Sequence, residues 1–254
     1  MRESFRRRVA ETRLHDPTRR DGEMARQSEK IKTRDIPPAA GPSRVVAKTG
    51  RTNDPDATQA NILEVALHEF ADKGLSGARI DEIAEQTRTS KRMIYYYFGS
   101  KEGLYLAVLE ESYRRIRDIE HQLDLDHLPP LQALRLLVTS TFDYQDAHPD
   151  FIRLVMVENI HHGEHIGELK NLAHLNAAVI EQIKRICDRG AAEGVIRKGV
   201  DPIDLHMTIS ALCFFNVSNR HTFSRIFHLD MSSQAALATR RASVAELVVR
   251  SVAV

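Results

Sequence analysis

Tryptophan is absent from these 254 residues, and aromatic side chains make up only 6% of them. A chain so poor in large rings must fill its core with aliphatic side chains, which suits helix packing. No apolar run approaches the roughly 18 residues of a membrane span, and no stretch has the apolar core of a secretory signal, so neither export nor membrane spanning is expected. There are two cysteines, Cys187 and Cys213, each inside an apolar helical pattern and without CxxC or Cys/His metal spacing. They read as buried thiols of a reducing cytoplasm; a redox sensor would need neighbours that lower a thiol pKa, and none stands beside them. A nucleophile elbow, a P-loop, GxGxxG, HExxH and paired catalytic carboxylates are all missing, so the chain is expected not to be an enzyme and to need no cofactor.

Net charge is also scarce. The formal balance is +1, yet the positive charge is concentrated. Residues 86–101 carry Arg88, Lys91, Arg92 and Lys101 with no acid, which makes a local positive potential. Residues 1–50 hold thirteen Lys/Arg against seven Asp/Glu, lack apolar periodicity and include Pro37, Pro38 and Pro42. That composition reads as a disordered basic tail. It is either a solvated, dispensable segment, with Met24 a candidate internal start, or an arm adding salt-sensitive DNA affinity.

The stretch Ile80 to Lys101, IDEIAEQTRTSKRMIYYYFGSK, carries the most information. Ile80, Ile83 and Ala84 give a first short helix one apolar side, and Ser90 is a good N-cap for a second helix with Lys91 and Arg92 in its first turn. Cations there oppose the helix dipole, so they make sense only if that end faces phosphates or guanine edges. Tyr95, Tyr96 and Tyr97 rotate through about 200° and cannot share one core. Ile94 and Phe98, spaced i, i+4, are the expected core anchors, which leaves Tyr95 and Tyr96 to offer hydroxyls to the backbone of a nucleic acid. Two short helices, a tight turn and a cationic second helix are the pattern of a DNA-reading helix-turn-helix.

Residues 57–109 resemble the N-terminal DNA-binding domain of the tetracycline-repressor (TetR/AcrR) family of bacterial transcription regulators. The likeness rests on a first helix closed by Gly74, the IDEIA helix, Ser90 before the second motif helix, the IYYYF run, and Gly99-Ser100-Lys101-Glu102 opening the next helix. It implies phosphate contacts from Tyr95 and Lys101, with Lys91, Arg92 and Tyr96 nearest the bases; Arg79, Arg88, Thr89 and Ser90 complete the expected DNA-binding set. One departure stands out, since the family usually has Gly where this chain has Arg88. A non-Gly residue in a left-handed turn costs roughly 1 kcal/mol. Either the turn is reshaped, or Arg88 is tolerated for a phosphate contact.

The rest of the chain reads as helical throughout, which gives an all-α protein: a helix-turn-helix domain at 54–100, a connector helix within 101–128, and a larger domain at 129–254. Helices are expected near 56–73, 80–87, 91–98, 101–123, 129–147, 149–160, 166–193, 201–218 and 233–252. Leu131, Leu134, Leu137, Val138 and Phe142 are expected to face a core, and Gly190 with Gly194 to close the long middle helix. MTISALCFFNV, from Met207 to Val217, is apolar nearly all round and so must be covered on more than one side. The last helix is rich in small residues, with Leu237, Val244, Leu247 and Val248 on a stripe. These two helices suggest a symmetric helix-pair interface, and the family's pairing through its last two helices implies a homodimer.

Polar residues interrupting apolar faces mark a tentative ligand pocket: Phe142, Arg153, Met156, Asn159, His174, Asn176, Phe214 and Asn216. Each alone also fits a satisfied core polar group or an exposed position. His161, His162 and His165, with Glu158, Asn159 and Glu164, invite a metal reading that their spacing does not support, because no i, i+4 ligand pair is forced. The expectation is a DNA-binding transcriptional regulator, a repressor released from a pseudo-palindromic double-stranded operator by a small-molecule effector, acting as a homodimer in the cytoplasm and on the nucleoid when bound. The rival is a DNA-binding architectural or cell-division factor that answers to a protein partner; a collapsed second-domain core would favour it. A metal-dependent enzyme built on the histidines would need bound metal.

Overall fold

The computed structural model describes residues 54–254. The basic tail and Met24 lie outside the described residues. Among these, ten α-helices and one short 3₁₀ turn carry the fold, with a single isolated bridge between Ile196 and Ala253. The expected all-α architecture is what the chain adopts.

Helix α1 (Pro55–Gly77) starts under an Asp54 cap, whose carboxylate accepts from the backbone N–H groups of Asp56 and Ala57 at 3.1 and 3.2 Å. Its regular part ends at Gly74, where φ of 66° is tolerated because no Cβ is present. Then follow α2 (Ile80–Thr87), α3 (Lys91–Phe98) and α4 (Lys101–Gln122). Ile62, Ala66 and Phe70 from α1, Ile83 from α2, Ile94 from α3, and Leu104 and Leu109 from α4 close a small core with no exposure at all. Phe98 is only half-buried and packs against this core from its edge.

Helices α5 (Pro130–Ala147), α6 (Pro149–Ile160), α7 (Leu172–Ala192), α8 (Pro202–Ser218), α9 (Arg220–Phe227) and α10 (Gln234–Val252) form the second part. Proline opens α5, α6 and α8, where its missing N–H would be unpaired in any case. Leu134, Leu137, Val138 and Phe142 face Ile183 and Ile186 of α7, Leu205, Ile209 and Cys213 of α8, and Val244, Ala245 and Val248 of α10. Both cysteines are buried and unpaired, and burial pushes the Cys213 thiol up to about 12, which makes it unreactive.

Helix α4 belongs to both parts. Its first half fills the small core, while Ile116 joins Tyr144, Phe151, Ile152 and Val217 in a separate cluster. Helix α6 is shared as well, because Leu154 is buried in the small core. Behind it, the buried Glu158 carboxylate accepts from the Tyr105 hydroxyl at 2.7 Å and from the Ile166 backbone N–H at 3.1 Å, and lies 3.0 Å from His165 Nδ1. Burial and this carboxylate push the Tyr105 phenol up, so it remains a proton donor.

Several expected boundaries moved. The helix expected from 166 begins at Leu172; Glu158 holds the Ile166 N–H in a 3₁₀ turn (Ile166–Glu168) instead. Gly194, with φ of 73°, follows the end of α7, whereas Gly190 lies inside it, where a Cβ would stand 2.5 Å from Ile196. Helix α9 had no counterpart in the expected set. The α10 stripe divides: Val244 and Val248 are buried in the protomer's own core, and Leu247 is 52% exposed. Helix α8 was expected to be covered on more than one side; within this chain Leu205, Ile209, Cys213 and Val217 point inward, while Ile203, Met207 and Phe215 stay exposed.

Candidate DNA-binding surface

The turn between α2 and α3 is set by Arg88, which sits in the left-handed region at φ 53°, ψ 34°. Its backbone N–H is directed at the Ala84 and Glu85 carbonyls, and the Thr89 N–H donates to the Ala84 carbonyl at 3.0 Å. The turn keeps the left-handed geometry that glycine would adopt, so Arg88 is accommodated without reshaping. Thr87, buried on the inner side, returns its hydroxyl to the Ile83 carbonyl at 2.7 Å. Ser90 then caps α3 by accepting from the Met93 N–H at 3.2 Å.

This anchoring fixes which face of α3 is free. Ile94 is wholly buried, Tyr97 and Phe98 are half-buried, and Lys91, Arg92, Tyr95 and Tyr96 are exposed. Tyr96 is 78% exposed, far more than a large ring needs for packing, and among the described residues its one aromatic neighbour is Tyr97, edge-on at 5.4 Å. The exposed side of α3 therefore carries two cations in its first turn and two phenols in its second half, on one rigid element. Such a face can donate to phosphate oxygens and to guanine edges.

The flanking residues are less free. Lys91 is paired with Asp81 of α2 across the turn. Arg79 makes only distant contacts of 3.9 Å with Asp81 and Glu82, while its backbone N–H donates to the buried Glu69 carboxylate at 3.0 Å. Lys101 donates from Nζ to the Ser76 carbonyl at 3.3 Å, so it braces the end of α1. Asp81 and Glu69 were not foreseen; the i, i+4 spacing of Glu69 and Lys73 was the only visible trace of the latter.

The eight residues expected to line a pocket do not come together. Phe142 is packed in the large core, Phe214 is half-buried against the α4–α6 cluster, and His174 is exposed. Arg153 is exposed and paired with Asp72 at 3.3 Å, and Met156 is 37% exposed. Asn159 and Asn176 each return their amide to the carbonyl four residues earlier, at 2.8 Å. Asn216 is buried with its amide nitrogen unpaired. A cleft of about 290 Å³ instead opens between the second half of α4 and the middle of α7, and none of the eight borders it. It is bordered by Arg117, Glu120 and Leu123 on one side and by Val179, Gln182 and Arg185 on the other. Among the described residues no three His, Cys, Asp or Glu side chains gather as metal ligands, and Glu158 is committed to Tyr105, His165 and the Ile166 N–H. Among the described residues no helix is long and apolar enough to cross a membrane.

A helix-turn-helix head on a larger helical body, with α3 presenting a cationic face, defines a DNA-binding regulator. Residues 62–108 match the model for bacterial regulatory proteins of the tetR family, and residues 130–248 match that for the tetracyclin repressor-like C-terminal domain. The HTH-type transcriptional repressor NicS of Pseudomonas putida is 37% identical over 204 residues, covering 80% of this chain and 96% of that one. The HTH-type transcriptional repressor SCO4008 of Streptomyces coelicolor is 34% identical over 161 residues, covering 63% and 78%. Among solved structures, the putative transcriptional regulator SCO4942 of Streptomyces coelicolor superposes with a TM-score of 0.59 at 28% identity, covering 77% of this chain and 98% of that one. The chain belongs to the TetR family and is a DNA-binding transcriptional regulator.

Proposed function

We propose that this regulator is a dimeric repressor that sets two copies of α3 into successive major grooves of a pseudo-palindromic operator, and that a small molecule taken up by the second domain releases it. The observation that carries the reading is the exposed face of α3: Lys91, held by Asp81, with Arg92, Tyr95 and Tyr96 outward on a helix whose Ile94 is fully buried. Arg92 supplies base reading, Tyr95 and Tyr96 hydroxyls reach the backbone, and Lys101 adds a phosphate contact from the start of α4. The domain limits that serve this reading are 54–100 for the head, 101–128 for the connector and 129–254 for the effector and dimer part.

Release needs only differential affinity. The head is held by α4, through Leu104 and Leu109, and by α6, through Leu154 and the Glu158–Tyr105 bond. An effector that favours an arrangement of these two helices mismatched to the half-site spacing weakens DNA binding by that difference. The open cleft beside α4 supports a small effector over a protein partner. Work on DNA fits a cytoplasmic, nucleoid-bound protein.

Footprinting on the DNA around its own gene tests the proposal. Two protected half-sites, roughly one helical turn apart, are expected, and R92A should relax preference at one base position in each, at a cost of about 1–3 kcal/mol. Equal binding of R92A and the wild type to operator and to random DNA would sink the assignment.

A further inference from the structure

The cleft between α4 and α7 has an apolar wall, Leu123 and Val179, and a polar closed end formed by Arg117, Glu120 and Gln182. Arg117 is nine-tenths buried and gives one terminal nitrogen to Glu120, but its Nε has no partner. That N–H is sealed off from the cleft, but among the described residues Glu120 is the one acceptor for the terminal nitrogens, and a ligand in the cleft would supply an acceptor for the other. Arginine's fork matches a carboxylate with two parallel N–H donors, of which Glu120 now uses one side. Among the described residues the one other arginine of the cleft, Arg185, stands at the rim 3.5 Å from Asp126, so the closed end offers one positive charge and suits a single negative one.

We propose that this cleft binds an organic monocarboxylate through Arg117, and that Glu120 yields the guanidinium and takes up one proton from solvent as the anion enters. The proposal rests on the effector reading and gives that effector its chemical class. A volume of about 290 Å³ and the Leu123–Val179 wall fit a compact apolar body of about ten non-hydrogen atoms behind the carboxylate. The exchange conserves charge: a buried Arg⁺–carboxylate pair is present before and after, with the ligand's carboxylate replacing that of Glu120, now neutral.

Glu120 is suited to this because burial pushes its carboxyl up to about 7, against the pull of Arg117. The other groups facing the pair are Tyr113 and His121 on α4, Tyr144 on α5, Glu181 and Arg185 on α7, Asp126 after α4, and His206 on α8. Burial pushes Tyr144 up to about 12, and burial, with Arg117 adding to it, takes His206 down to about 4, so neither titrates between pH 6 and 8. At pH 6 Glu120 is mostly protonated before the ligand arrives; at pH 8 binding must take up nearly a full proton. Affinity for the anion should therefore fall about tenfold from pH 6 to pH 8.

Calorimetric titration of the full-length protein with sodium benzoate, and with benzamide as its neutral counterpart, tests this. Benzoate is expected to saturate one site per chain in the millimolar range and benzamide not to. E120Q should abolish the tenfold pH dependence, and H121Q should keep it. R117Q should lose benzoate; R117K, which keeps the charge without the fork, should weaken it at least tenfold and serves if R117Q does not fold. Equal binding of the two probes, no saturable benzoate binding, or a pH dependence that survives E120Q would each overturn the proposal. The two readings fail separately. Benzoate that binds as described but leaves operator binding unmoved in a gel shift refutes the effector role of the cleft, whereas absent benzoate binding refutes the carboxylate assignment alone.

Discussion

At the scale of single residues, Arg88 and Lys91 are where the proposed meeting of the head with DNA is most open to test. Arg88 holds a left-handed conformation at a turn where glycine would carry no Cβ penalty, so R88G should stabilise the protein by about 1 kcal/mol. Thermal unfolding of the two proteins reads that gain. If the guanidinium also lies on a phosphate, the same variant should lower the salt slope of DNA binding by about one unit; a higher Tm with an unchanged slope would show that Arg88 is merely tolerated. Lys91 is spoken for in the free protein, since Asp81 pairs with it across the turn. Exposed pairs of this kind are worth about 0–1 kcal/mol, so phosphate can outbid the carboxylate, but the acid still opposes binding. D81N is therefore expected to tighten binding to operator and random DNA alike by severalfold at low salt, with the gain shrinking as salt rises, in a fluorescence-anisotropy titration. Unchanged affinity at low salt would mean that Lys91 stays off the DNA.

At the scale of elements, the join between α3 and α4 is the least forgiving. Gly103, in the first turn of α4, lies where a Cβ would clash with the Phe98 carbonyl oxygen and stand 3.3 Å from its carbon. Both are backbone atoms, so G103A must shift the end of α3; a loss of about 1–3 kcal/mol in denaturant unfolding is expected, together with weaker operator binding. Wild-type stability would show that the join can relax. The elements that were legible in the sequence are those punctuated by their own residues. Ser90 and the turn delimit α3, Gly74 ends the regular part of α1, and Pro130, Pro149 and Pro202 open three helices. Helix α9 was not legible, because none of its eight residues is buried, and its Phe223 and Phe227 stack on each other and on Phe215. The cleft was hidden for a different reason. Arg117 and Glu120, or Gln182 and Arg185, spaced i, i+3, look like solvated helix surface until α4 and α7 are laid together. Conversely, a polar residue within an apolar run often marks the outward face, which is where Arg153 and His174 sit.

At the scale of the whole molecule, the unsatisfied surface lies on α8, α9 and α10. Ile203, Met207, Ala211 and Phe215 follow one another at four-residue steps along the exposed side of α8, and Ile226 of α9 and Leu247 of α10 are more than half exposed. An apolar strip of this length on a monomer is unusual, and in the proposed dimer a second copy of the same strip would cover it with the symmetry that a two-half-site operator requires. The distinction between surface and core residues on these helices makes the test sharp. Met207 is 62% exposed, so M207R should leave the helical signal and the protomer fold in place while an unpaired charge at the interface separates the chains. Val248 has no exposure within the protomer, so V248R should unfold it. Sedimentation at micromolar concentration should then find a dimeric wild type and a monomeric, folded M207R. Operator affinity should collapse in M207R even though every DNA-facing residue of α3 is intact, because each head then holds a single half-site and loses the effective concentration supplied by its partner. A dimeric M207R, or one that binds operator as tightly as the wild type, would move the interface away from α8.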